Sequence, residues 1–172
     1  MCIRDSISFV GGGTDLPWFY SKHGGAVIST TIDKYVTVCV SRRDDPMIEI
    51  RTDDSREFKE HVYEIRQPII RECLRCTDII QGIEIEISSE LGTQGTGLGT
   101  SSALTVGLLN ALYAYKGIDP EFPAETLARQ ACEIEIDCLD KPIGKQDQYA
   151  VCLLYTSPSP RDRTRSRMPS SA

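Results

Sequence analysis

Gly95-Thr96-Gly97-Leu98-Gly99-Thr100-Ser101-Ser102 runs directly into Ala103-Leu104-Thr105-Val106-Gly107-Leu108-Leu109-Asn110-Ala111-Leu112. Leu104, Leu108 and Leu112 recur at four-residue steps with Ala103, Ala111 and Tyr115 beside them, and this spacing predicts a helix from Thr100 to Lys116. Few polar residues interrupt it, so the helix is expected to be buried on most sides. Gly117 stands where a C-terminal cap is needed. Glycines let backbone N–H groups come close to a ligand, and the first turn of a helix favours an anion such as phosphate. The hydroxyls of Thr100, Ser101 and Ser102 can add hydrogen bonds or a magnesium ligand. The same composition also fits an ordinary glycine turn with Ser/Thr capping. The stretch is not a Walker loop: no Gly-Lys-Ser/Thr closes it, and Gly144-Lys145 is followed by Gln146. It lacks the Rossmann spacing, and protein-kinase signatures such as His-Arg-Asp and Asp-Phe-Gly are missing.

Upstream lie strands. Ile7 to Val10 is a short apolar run ending in Gly11-Gly12-Gly13, Ala26 to Ile32 and Tyr35 to Val40 are β-rich, and Val36, Val38 and Val40 share one face. Ile48 and Ile50 alternate with Glu49 and Arg51, and Ile83, Ile85 and Ile87 with Glu84 and Glu86, each predicting a half-buried strand. Pro68 to Cys76 reads as a helix between them. A second long helix is expected from Pro123 to Cys138, with Leu127, Ala131, Ile134 and Cys138 on its apolar face. Glu135 falls inside that face, where a carboxylate is costly unless it is paired or bound to a metal. Read alone, it can equally be an edge residue in a salt bridge, Asp147 can be a helix cap or surface acid, and Asp15 can be a turn former after glycines. Strands first and helices later predict an α+β layered domain.

Three stretches carry a family resemblance. Gly97-Leu98-Gly99-Thr100-Ser101-Ser102-Ala103 is similar to the phosphate-binding motif of the GHMP kinases, with Thr93-Gln94 where prolines are frequent and Thr100 where Ser is frequent. Gly144-Lys145-Gln146-Asp147-Gln148-Tyr149-Ala150 resembles the segment that carries the family's catalytic aspartate, in the form found in its D-glycero-D-manno-heptose 7-phosphate kinase branch. Ile7-Ser8-Phe9-Val10-Gly11-Gly12-Gly13-Thr14-Asp15-Leu16 resembles the family's first motif, with glycines where galactokinases have Glu-His. The resemblance spans residues 7–151. It implies a truncated amino-terminal domain of the ribosomal-protein-like two-layer α/β sandwich type. It implies ATP and Mg2+ as cofactors: Gly95, Thr96, Gly97, Leu98, Gly99, Thr100, Ser101 and Ser102 on the ATP phosphates, Ser101 and Glu135 on magnesium, and Asp147 as the general base. Gly12, Gly13, Thr14 and Asp15 would shape the sugar site. The substrate implied is a sugar or sugar phosphate, foremost the heptose 7-phosphate. A fucokinase-like or galactokinase-like enzyme on a free sugar, a non-catalytic sugar sensor and an inactive fragment are the alternatives.

The two ends read differently from the middle. One DNA element translates as Met1-Cys2-Ile3-Arg4-Asp5, and its reverse complement in another frame as Cys152-Leu153-Leu154-Tyr155-Thr156. The element resembles a transposase-type sequencing adapter, so residues 1–6 and 152–172 are expected to be adapter translation, the latter disordered, with Ser6 a hybrid codon where this branch usually has Arg. The middle is then about 145 residues, enough for one domain. Removing Arg4, Arg161, Arg163, Arg165 and Arg167 from the 19 basic residues, and Asp5 and Asp162 from the 25 acidic ones, moves the formal charge from −6 to about −9. That balance opposes nonspecific nucleic-acid binding. No apolar run is long enough to span a bilayer, so no membrane partner is expected. The remaining cysteines, Cys39, Cys73, Cys76, Cys132 and Cys138, are odd in number and read as reduced thiols of a cytoplasmic protein. Cys73 and Cys76 have no second pair at zinc-ribbon spacing and read as core and surface thiols on a helix.

Overall fold

The computed structural model describes residues 2–90, 99–118 and 123–155. Within them the strands are β1 (Cys2–Val10), β2 (Ile28–Arg42), β3 (Ile48–Thr52), β4 (Arg56–Lys59) and β5 (Ile83–Ser89). They form one sheet in the order β1-β2-β5-β3-β4. The β1–β2, β2–β5 and β3–β4 pairs are antiparallel, and β3 pairs with β5 in parallel. The helices are α1 (Pro17–His23), α2 (Pro68–Cys76), α3 (Thr100–Tyr115), α4 (Ala124–Cys132) and α5 (Gln146–Tyr155).

Alternation decides which face of the sheet is covered. Val36 and Val38 of β2, Ile48 and Ile50 of β3, and Ile83, Ile85 and Ile87 of β5 are buried in one core with Leu104, Leu108, Leu109 and Leu112 of α3. Helix α3 lies across β1 and β2 and is buried continuously from Ser102 to Leu109, as its apolar sequence predicts. At Gly107 it sits directly on the sheet: a Cβ there would be in ordinary contact with Val38 and Ile3 at 3.4–3.5 Å. The layered α+β expectation matches this architecture. Among the described residues, no helix is long and apolar enough to cross a membrane.

Several local expectations need correction. The first strand starts at Cys2, not Ile7, because Ile3 fills the core beneath α3. Ala26–Ile32 and Tyr35–Val40 are not two strands: from Ile28 onward they belong to one continuous fifteen-residue strand. Glu49 does not face solvent: it is 1% exposed, enclosed by Arg43, Arg51 and Arg56, and hydrogen bonding to Arg56 above all holds its carboxyl below the usual range. The helix over 123–138 is α-helical only to Cys132 and continues as a π-helical stretch, Glu133–Cys138. The wider turn rotates the later residues about the helix axis, so Cys138 is exposed and does not join the apolar face. Residues 152–155 continue α5, with Cys152 buried, so order extends past residue 151. Cys73 is buried and Cys76 exposed, both unoxidised.

Candidate active site

The amino terminus of α3 is the organising feature. Gly99 takes a left-handed conformation (φ +75°) that turns the chain into the helix, and Ala103 N–H closes the first helical bond on Gly99 O at 2.9 Å. The leading amides of any helix lack intrahelical acceptors, so this end favours negative charge. Thr100, Ser101 and Ser102 stand there, Ser101 exposed and Ser102 buried. Gly95, Thr96, Gly97 and Leu98 lie outside the described residues. A cavity of about 220 Å3 opens beside this turn, with Val36, Ile87 and Leu104 on its apolar side and Thr100, Ser101 and Lys141 on its polar side.

The π-helical stretch brings Glu135 to the same place. Glu135 is 0% exposed. Its Oε1 accepts from Ser101 Oγ at 2.5 Å and from Lys141 Nζ at 2.8 Å, and its Oε2 accepts from Gln148 Nε2 at 2.7 Å. The sequence pattern puts a carboxylate on the inner face, and the structure supplies the partners it needs. Gln148 is itself fully buried on α5. Sequence pattern does not single out Lys141 or Gln148. Gln148 follows Asp147 directly and can be read as its inward neighbour, whereas Lys141 sits in a turn with no periodicity to mark it.

Asp147 is in the first turn of α5, facing Gly99. A Cβ on Gly99 would stand 3.3 Å from Asp147 Cγ and 3.1 Å from Ser6 Oγ. Burial raises the Asp147 pKa, the charge of Asp15 adds to the shift, the Ser6 hydroxyl opposes it, and Glu135 raises it further. Ser6 Oγ donates to Asp147 Oδ1 at 3.5 Å.

Asp15 is buried between two backbone segments. Its Oδ1 accepts from Gly13 N–H at 3.0 Å and its Oδ2 from Gln146 N–H at 3.1 Å, so it ties the glycine turn to the start of α5. Thr14 Oγ1 donates to Gly11 O at 2.7 Å and lies against Ala26, closing that turn on the approach to β2. Gly12 and Gly13 are exposed, with nothing near the position of a Cβ. Asp15, Ser101, Glu135 and Asp147 therefore gather around the facing ends of α3 and α5. Such a cluster can receive a polyanion at a helix amino terminus and take a proton on a buried carboxylate.

Comparison with known proteins bears on the family and the fold. The family model described as GHMP kinases N terminal domain matches residues 60–154. The D-glycero-alpha-D-manno-heptose 7-phosphate kinase of Campylobacter jejuni is 28% identical over 158 residues, covering 84% of this chain and 45% of that protein. The mevalonate kinase of Methanothermobacter thermautotrophicus is 36% identical over 118 residues, covering 69% of this chain and 37% of that protein. A crystal structure of a D-glycero-D-manno-heptose 1-phosphate kinase from Bacteroides thetaiotaomicron superposes with a TM-score of 0.74 at 23% identity, over 87% of this chain and 51% of that one. The chain thus spans about half the length of these relatives or less.

Proposed function

The chain belongs to the GHMP kinase family, and from that premise we propose that it carries the nucleotide end of a kinase that transfers the γ-phosphoryl group of ATP to a hydroxyl of a sugar phosphate, D-glycero-D-manno-heptose 7-phosphate foremost. The carrying observation is Glu135, a carboxylate buried to 0% exposure yet hydrogen-bonded to Ser101 in the first turn of α3. A buried charge of this kind serves a cation or a charged ligand more readily than it serves stability. The heptose assignment leans on the Gly144–Ala150 segment and on the heptose phosphate kinases among the similar proteins.

In this reading the amino terminus of α3 receives the ATP phosphates through its backbone amides and the Thr100, Ser101 and Ser102 hydroxyls. Ser101 and Glu135 would hold magnesium. The donor set fits: one carboxylate and one hydroxyl suit an ion that keeps several waters and takes phosphate oxygens, and the Lys141 ammonium already rests against both donors. When bound, the ion neutralises charge on the phosphates. Asp147 accepts the proton of the attacking hydroxyl. As that oxygen bonds to the γ-phosphorus, the bond from phosphorus to the bridging oxygen breaks and ADP leaves. The raised pKa of Asp147 makes it the stronger base, with activity lost as pH falls through that value. Asp15 holds the glycine turn against α5, and its remaining lone pairs orient the sugar.

The test is ADP release by the chain extended to the length of its relatives, offered the heptose 7-phosphate, fucose, galactose and mevalonate in parallel. Turnover of the heptose phosphate alone, falling by at least about a hundredfold in Asp147→Asn, is the expected result. Turnover of a free sugar instead would remove the heptose assignment, and wild-type turnover in Asp147→Asn would remove the base.

A further inference from the structure

We propose that Lys141 is an internal counter-ion that competes with the divalent cation for the Ser101–Glu135 seat, so that metal binds only by displacing it. This deepens the reading of that pair as a metal seat and rests on it. Lys141 Nζ lies 2.6 Å from Ser101 Oγ and 2.8 Å from Glu135 Oε1. These are the same two oxygens that the seat offers a cation. An ion held by both oxygens would stand where the ammonium now bridges them, so the two compete for one position. A fully buried carboxylate requires a positive partner, and Lys141, with its side chain 29% exposed, forms the ion pair with Glu135 among the described residues.

The backbone is arranged to keep Lys141 there. Leu139 N–H bonds to Ile134 O across the π-helical turn, and Asp140 then takes φ +50°, a left-handed conformation uncommon for a non-glycine residue. The chain reverses, and Lys141 N–H returns to Glu135 O at 3.1 Å. Backbone and side chain of Lys141 thus both end on Glu135, the geometry of a tethered cation. The side chain also lines the cavity beside Ser101. A swing into that cavity vacates the seat and keeps the ammonium beside any anion placed there, so an anionic nucleotide and the metal would each favour the same displacement.

The measurement is Mn2+ affinity of the 172-residue chain without nucleotide, read from the signal of free Mn2+ by electron paramagnetic resonance. Lys141→Met is expected to tighten Mn2+ binding by at least about tenfold, because the competing charge is gone. Lys141→Arg, which keeps the charge, is expected to bind as the unsubstituted chain does, and Glu135→Gln to lose binding. Thermal unfolding reports whether each variant folds, and Lys141→Gln offers a second neutral side chain should Met fail. If both neutral variants bind Mn2+ no more tightly while Glu135→Gln abolishes binding, Lys141 is a structural partner only and the proposal falls while the seat stands. If Glu135→Gln leaves Mn2+ binding unchanged, the seat itself is wrong and the proposal falls with it.

Discussion

Asp5 is the residue least suited to its surroundings. It is 0% exposed on β1, and burial raises its pKa to about 6, with hydrogen bonding from the Thr100 hydroxyl pulling the other way and the charge of Glu90 adding to the rise. Because the folded pKa lies above the ordinary 3.8, the native state prefers the protonated form. The fold is therefore unburdened below pH 3.8 and carries the full cost above pH 6. Asp5→Asn is expected to stabilise at pH 7 by about 1 kcal/mol once solvent screening is allowed for, a rise of roughly 2–4 °C in melting temperature. The gain should vanish near pH 4, so an equal gain at both pH values would show that ionisation is not the cause. Ser6 extends the point. Its hydroxyl is the group that opposes the upward shift at Asp147, and an Arg at that position, as the family resemblance implies, would oppose it by charge. Ser6→Arg is expected to lower the Asp147 titration midpoint, followed by carboxyl carbon NMR. An unchanged midpoint would separate position 6 from Asp147.

The approach of the glycine turn to α5 is where element packing and the site meet. A Cβ on Gly144 would fall 1.7 Å from Asp15 Oδ2 and 2.2 Å from its Cγ, so Gly144→Ala must expel the Asp15 carboxylate from between the amides of Gly13 and Gln146. Overpacking and two lost hydrogen bonds predict a loss of about 2–4 kcal/mol in stability. In the chain extended to the length of its relatives, KM for the proposed sugar substrate should rise by at least about tenfold, since the turn is no longer held. Asp15→Gly in the same background removes the clash, so stability should recover in part while KM stays high. Recovery of both would make Asp15 a packing residue without a part in binding. This junction was legible only in pieces. The glycines, Thr14, Asp15 and Asp147 can each be marked from sequence, and so can the inward position of Glu135. Their meeting cannot, because it depends on a π-helical turn and on a left-handed Asp140, which leave no periodic trace. The alternation over Ile48–Arg51 likewise predicts the strand correctly but puts Glu49 in solvent. Arg43 before β3, Arg51 on it and Arg56 on β4 enclose it, and although all three are near in sequence the alternation of β3 does not announce their convergence.

At the scale of the whole molecule, some of the exposed apolar residues lie together at one end of the sheet, on β1 and β2. Phe9, Val10 and Ile28 are each about two-thirds exposed, with Val10 paired to Ile28 across β1 and β2, and Trp18 is equally exposed on α1, the next helix in the chain. Single exposed apolar residues are ordinary, but neighbours on paired strands form a patch that monomers seldom leave uncovered. The chain covers about half the length of its structural relatives, so a chain extended to their length has the material to cover it. The 172-residue chain is therefore expected to bind the dye ANS in its native state, with Phe9→Ser and Ile28→Thr together removing most of the fluorescence. The extended chain should bind little dye and melt higher, while the same double substitution should destabilise it by about 2–4 kcal/mol, as for residues buried in a core. The short chain, in which these side chains are already wetted, should lose no more than about 0.5 kcal/mol. This difference between the two chains is the discriminating quantity. Equal losses in both would mean the patch stays exposed in the longer chain and belongs to another partner. A native short chain that binds no dye would mean the end of the sheet is covered from within.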